Sequence, residues 1–170
     1  MAKVGCYENY PWWIVVLSNF VSIAVYGVGA FIMYQFGLAC LVFYLLYVLW
    51  LELRLWSGHC VDCYYYGKKC GFGKGKLSAL LFKKGDSKKF CKMQISWKDI
   101  IPDFLVSLIP MAAGVILLIR DFNWLVLASI ILLAVFGFVG SGLVRSQLAC
   151  KYCKQREIGC PAEQLFNKKK

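Results

Sequence analysis

Hydrophobic residues run along this chain in long unbroken blocks, not in the stripes of a soluble domain. From Asn9 to Leu51 no side chain carries a charge. One helix over that stretch would be roughly 65 Å long at 1.5 Å per residue. That is about twice the hydrocarbon thickness of a bilayer. The run therefore has to fold back, and Gln35-Phe36-Gly37 is the natural break, giving helices near 12–34 and 38–55. A second pair follows. Phe104 to Ile119 is uncharged, Arg120-Asp121-Phe122-Asn123 makes a polar turn, and Trp124 to Val144 is uncharged again. These blocks predict helices near 101–119 and 124–144. Ser96 with Asp99 three residues on is a helix-start signal, and Pro110 predicts a kink.

The chain divides accordingly into a first transmembrane hairpin (1–56), a basic cysteine-rich loop (57–98), a second transmembrane hairpin (99–145) and a cysteine-rich tail (146–170). The expected class is an all-α membrane protein of four transmembrane helices. They form two duplicated hairpins, topped by a small cytoplasmic cysteine-rich metal module. Composition agrees, since the chain is 60% hydrophobic where a soluble domain is closer to half. The start lacks the basic segment, short apolar core and small-residue cleavage site of a signal peptide, so the first helix is expected to stay in the product.

Charge sets the orientation. Eleven Lys or Arg lie between Arg54 and Lys98 and seven from Arg145 onward, while the opposite turns are nearly bare. By the positive-inside rule the middle loop and both termini are cytoplasmic, in a multi-pass protein of the cell membrane. The basic surface can also attract anionic headgroups. Expected partners are the bilayer and a protein of a membrane complex or of the cytoplasmic face. Nucleic acid is not expected, because the basic residues hug the membrane and no recognition element is present.

Several chemistries fail on inspection. The spans hold no mid-membrane charge of the kind transporters use; Glu52, Arg54 and Asp103 sit at helix ends. The lone histidine, His59, lies outside the spans, which removes haem ligation between helices. It also precedes Cys60, the wrong order for the C-x-x-C-H of attached haem. The stretch from Gly71 to Lys92 has Cys70 and Leu77 where a phosphate loop needs Gly and Ser or Thr. Leu77, Leu80, Leu81 and Phe82 among lysines predict an amphipathic segment on the membrane surface, with a packed piece of the cysteine module as the alternative. Tyr7, Tyr10, Trp12, Trp13, Trp50, Trp56, Trp97 and Trp124 fall at predicted helix ends, as interfacial aromatic belts do. Gly29 and Gly137 are among the small residues expected to let helices approach.

The candidate chemistry lies in the cysteines. Cys60, Cys63 and Cys70 form C-x2-C-x6-C, and Cys150, Cys153 and Cys160 repeat it. Each copy follows the second helix of a hairpin. Clustered thiols in a reducing cytosol point to metal or redox work, not to disulfides. A C-x-x-C turn brings two sulfurs to one ion, and two such turns complete a tetrahedral thiolate set. Cys91 and His59 are possible extra ligands, making eight and so two four-coordinate sites. Zinc in a structural role is the first expectation and an iron–sulfur cluster the alternative, although the spacing differs from that of bacterial ferredoxins. Metal-free redox thiols are a further option. Lys68, Lys69, Lys151 and Lys154 are placed in sequence to offset thiolate charge. No catalytic set is visible beyond Cys91, His59 and the nearby Asp62, which points away from an enzyme and toward a metal-stabilised subunit or adaptor. The rival is a membrane-anchored electron carrier.

The stretches LLFKKGD, ISWKDIIPDFLV and LACKYCKQREIGCPAEQLF resemble a family of uncharacterised small archaeal membrane proteins of the methanogen type. The resemblance covers the chain from about residue 56 onward. It brings no activity or catalytic residue with it. It implies a setting of membrane-bound energy metabolism in an anaerobe, where iron–sulfur clusters are favoured.

Overall fold

A computed structural model describes residues 5–93 and 95–161. The end of the predicted tail, 162–170, lies outside them, as does the side chain of Trp97 expected at the membrane interface. The chain folds into α1 (Trp12–Phe36), α2 (Leu38–Cys60), α3 (Lys74–Leu81), α4 (Ser87–Lys92), α5 (Trp97–Arg120), α6 (Trp124–Ala149) and α7 (Lys154–Gly159). Helices α1, α2, α5 and α6 are long and apolar enough to cross a membrane. Among the described residues the only β pairing is one parallel bridge, Tyr7 with Cys153.

The breaks fall where the polar pattern puts them. Gly37 closes the first hairpin with φ +145°, a backbone that L-residues rarely adopt. Its N–H donates to the carbonyls of Met33 and Tyr34, each at 3.1 Å. Asn123 opens α6, its Oδ1 accepting from the Leu125 N–H at 2.8 Å. Ser96 and Asp99 form a full capping box at the start of α5.

The helix ends differ from expectation. Helical turns continue past Leu55 to Cys60 and past Val144 to Ala149, both in wider π-helical geometry. Helix α6 is thus 26 residues long, about 39 Å, against a hydrocarbon core of about 30 Å. Polar residues such as Arg145 and Gln147 continue the helix beyond its apolar stretch. The consequence is positional: each second helix delivers the first cysteine of its motif at its very end.

Helix α1 packs against α2, α5 and α6, and α5 packs against α1, α6 and, less extensively, α2. The first helices of the two hairpins thus form the middle of the bundle. Ile14, Ser18, Val21, Val25, Gly29 and Ile32 line the buried face of α1, at the three- and four-residue spacing of a helix seam. Val25, Ile32, Met33, Tyr44, Leu51, Val106, Ala113 and Leu133 form the core, with Cys40 packed against it. Large apolar side chains such as Ile23, Phe43, Ile119 and Leu125 face outward, as a bundle surrounded by lipid requires.

Pro110 in α5 has no N–H, so the carbonyl of Val106 loses its helical donor. Tyr44 of α2 supplies one, its hydroxyl donating to the Val106 oxygen at 3.1 Å. Gly29 of α1 makes the room: a Cβ there would lie 2.8 Å from Tyr44 Cζ and 3.2 Å from Pro110 Cγ. One glycine, one tyrosine and one proline tie three helices together.

Candidate functional site

Both cysteine motifs begin with the same turn. The Cys63 N–H donates to the Cys60 carbonyl at 3.4 Å, and the Cys153 N–H to the Cys150 carbonyl at 3.3 Å. The next turn repeats as well: Tyr66 N–H to Cys63 O at 3.0 Å, and Arg156 N–H to Cys153 O at 3.1 Å. Backbone N–H groups lie against the second sulfur of each motif, those of Tyr65 and Tyr64 on Cys63 and those of Gln155 and Arg156 on Cys153. The N–H of Gly75 likewise donates to Cys70 Sγ at 3.4 Å. N–H groups aimed at sulfur favour the thiolate.

The two motifs also clasp each other. The Tyr64 N–H donates to Gln155 Oε1 at 2.8 Å, and the Lys154 N–H donates to the Tyr65 hydroxyl at 3.0 Å. Residues 64 and 154 each follow the second cysteine, and residues 65 and 155 come next. The bonds are therefore reciprocal: in each motif the N–H after the second cysteine is taken by the following side chain of the other. Gln155 and Tyr65 are both 2% exposed.

The thiols gather here. Cys63, Cys70 and Cys153 pack against the buried cluster of Tyr10, Ile14 and Tyr65. Cys60 and Cys70 lie within electrostatic reach of Cys63, as does Cys160, and Cys150 and Cys63 within reach of Cys153. Cys91 joins from α4: Gln155 Nε2 donates to its sulfur at 3.7 Å, and its S–H points to the Ile158 carbonyl at 3.9 Å. Among the described residues, no group of three or more His, Cys, Asp or Glu is arranged to hold a metal ion. The thiols share one end of the bundle without forming a finished ligand set.

Burial dominates the acidity of Cys63 and Cys153. It pushes the Cys63 thiol up to about 11 and Cys153 up to about 12, against the opposing pull of the backbone N–H groups. Two of the four lysines expected to offset thiolate charge are engaged elsewhere, while Lys74 lies within electrostatic reach of Cys60. Lys154 and Lys68 pair with Glu8 and lie over the Tyr64 ring. The hydrogen bond from Lys154, and then that from Tyr64, holds Glu8 down to about 2. His59, a possible ligand by sequence, lines a cleft between α2 and α5 with Arg54, Asp99 and Asp103. Arg54 and Asp99 pair there at 3.4 Å.

The segment before α1 is part of this site, which the sequence pattern did not reveal. Tyr7 N–H donates to the Tyr152 carbonyl at 3.0 Å, and Tyr10 N–H to the Lys69 carbonyl at 2.9 Å. The segment therefore bonds to both motifs. Tyr10 is 2% exposed, so it packs inside and is not the interfacial anchor its position suggested, while Tyr7 meets the Tyr10 ring edge-on and the Tyr152 ring at a tilt. Trp12 and Trp13 do stay exposed. The pair Tyr7 and Tyr10 flanking the polar Glu8 and Asn9 was the available signal, drowned by the apolar run that follows.

Compared with known proteins, the chain matches no family model, no curated sequence and no solved structure.

Proposed function

We propose that this is an integral membrane protein whose duplicated C-x2-C-x6-C motifs are two half-sites of one metal-binding cap on the cytoplasmic side. Zinc is the expected metal, and the protein serves as a metal-stabilised subunit or adaptor of a membrane complex. The observation that carries the reading is the reciprocal pair of hydrogen bonds, Tyr64 to Gln155 and Lys154 to Tyr65. It relates the motifs as two equivalent halves facing each other. N–H groups directed at half-buried sulfurs fit a thiolate site whose charge a metal ion would neutralise. The sulfurs draw together only when the ion binds, so binding and ordering of the cap are coupled. Cys60, Cys63, Cys70, Cys150, Cys153 and Cys160 are the ligand set, with Cys91 as the nearest addition. The excess of lysine and arginine on this side supports a cap facing the cytoplasm.

The test is anaerobic purification, elemental analysis and a visible spectrum on one sample. About one or two zinc ions per chain and no colour are expected. Cys60→Ser with Cys150→Ser removes one ligand from each half and should release the metal. Full metal content in that double variant would sink the shared site. Iron with equimolar acid-labile sulfide would replace this reading by that of a membrane-anchored electron carrier.

A further inference from the structure

Helix α3 is held by one face and bare on the other. On the held face, Gly75 lies so close to the cysteine loop that a Cβ would come within 2.7 Å of the Lys68 carbonyl. The Gly75 carbonyl accepts from the Gly67 N–H at 3.0 Å. Ser78, fully buried, donates to the Trp56 carbonyl at 3.1 Å. Lys74 Nζ sits 2.8 Å from both carboxylate oxygens of Glu52, which also accepts from the Tyr26 hydroxyl at 2.7 Å. On the bare face Leu77 is 47%, Leu80 83% and Leu81 57% exposed.

These attachments set α3 against the ends of α1 and α2. Asn19, two turns into α1, donates to the Phe72 carbonyl at 3.1 Å. Glu52 stands two turns before the end of α2. Two turns are about 11 Å back from the helix ends. The start of α3 thus lies beside the last turns of the spanning helices, not beyond their ends. Ser78 meets Trp56, one turn further along α2 than Glu52, so the bare leucines lie close to the end of that helix. Lys76, Lys83 and Lys84, all exposed, surround them. The nearby Asp86 carboxylate is engaged in capping α4, accepting from the Lys88 N–H at 2.9 Å.

We infer that α3 and the Lys83-Lys84 turn form a binding surface for anionic phospholipid of the leaflet on the cap side. The leucines enter the acyl region and the lysines hold phosphate. Each lysine at such a surface strengthens binding by about fivefold. The inference does not depend on the metal reading.

The test places the full-length protein in nanodiscs of phosphatidylcholine alone or mixed equally with phosphatidylglycerol, and follows amide hydrogen exchange over 74–84. Slower exchange in the mixed discs is expected, reversed by high salt and abolished in Lys76→Gln/Lys83→Gln/Lys84→Gln. Those lysines are exposed, so the variant keeps the wild-type melting temperature. Equal exchange in the two discs overturns the inference. So does protection that arises only when a soluble protein fraction is added, which would make the surface a protein-docking face.

Discussion

A buried glutamine is costly unless every polar atom is used, and Gln155 uses both ends. Its oxygen takes the Tyr64 N–H, while its nitrogen reaches the Gly159 carbonyl at 3.0 Å and the Cys91 sulfur. Gln155→Leu keeps the volume and orphans the backbone groups, a loss of about 1–3 kcal/mol. Tyr65→Phe removes the hydroxyl that takes the Lys154 N–H and donates to the Tyr7 carbonyl, at similar cost. Local opening should show as faster maleimide labelling of Cys63 and Cys153, by about fivefold to a hundredfold for that range. Because the bonds join the same two loops, the double variant should fall short of the sum of the singles. Strict additivity would mean that the two bonds act independently and the clasp is not a unit.

Among the elements, the tie between α1, α2 and α5 decides how closely the helices pack. Gly29→Ala pushes a methyl into the Tyr44 hydroxyl, and overpacking of this kind costs about 1–3 kcal/mol. Tyr44→Phe leaves the Val106 carbonyl without its donor, again about 1–3 kcal/mol. The two changes should partly compensate, because removing the hydroxyl makes room for the methyl. Thermal unfolding of the two single variants and the double variant in detergent checks this. A double variant as unstable as the sum of the singles would locate the strain elsewhere, for example on Pro110.

For the whole molecule, pH tests the proposal that a metal loads the cap. The Cys63 and Cys153 thiols titrate near 11 and 12 in the fold against an ordinary 9.0. Raised values mean that the folded state holds its protons longer than the unfolded state does. Their contribution is complete below pH 9 and is lost as pH rises through 11 and 12. Glu8 works at the other end. Its pairing contributes fully above 4.5 and is lost as pH falls through about 2. Metal-stripped protein should therefore show cap loosening, by thiol labelling or near-ultraviolet dichroism, beginning above pH 9. Loaded protein should hold through that range and release on the acid side, where protons compete for thiolates. The same alkaline midpoint with and without added zinc would show that the metal does not engage these sulfurs.

Much of this was legible in the chain. Blocks without charge, interrupted at Gly37 and at Asn123, give four helices because lipid admits no unpaired backbone. Ser96 and Asp99 announce their capping box locally. The shared turns of the two motifs follow from a shared spacing. Other features were not legible. Hydrophobicity marks the inside of a soluble helix, but here both faces of α1 are apolar, so Val25 and Ile23 look alike although one is buried and the other exposed. The helix ends at Cys60 and Ala149 were missed because charged residues end the hydrocarbon stretch without ending the helix.

What the sequence determines by itself is therefore the number of spans, their turns, the side that carries the basic charge, and the repeated cysteine turns. Each rests on local composition or on spacing along the chain. Only the tertiary structure decided that Tyr7 and Tyr10 thread under the cap, that Gln155 answers Tyr65 across the motifs, that Lys74 pairs with Glu52, and that His59 lines an acidic cleft. Those arrangements depend on which helices become neighbours. In a bundle that is apolar on every side, the choice of neighbours is made by close packing at small residues and by a few buried hydrogen bonds, which no hydrophobic pattern encodes.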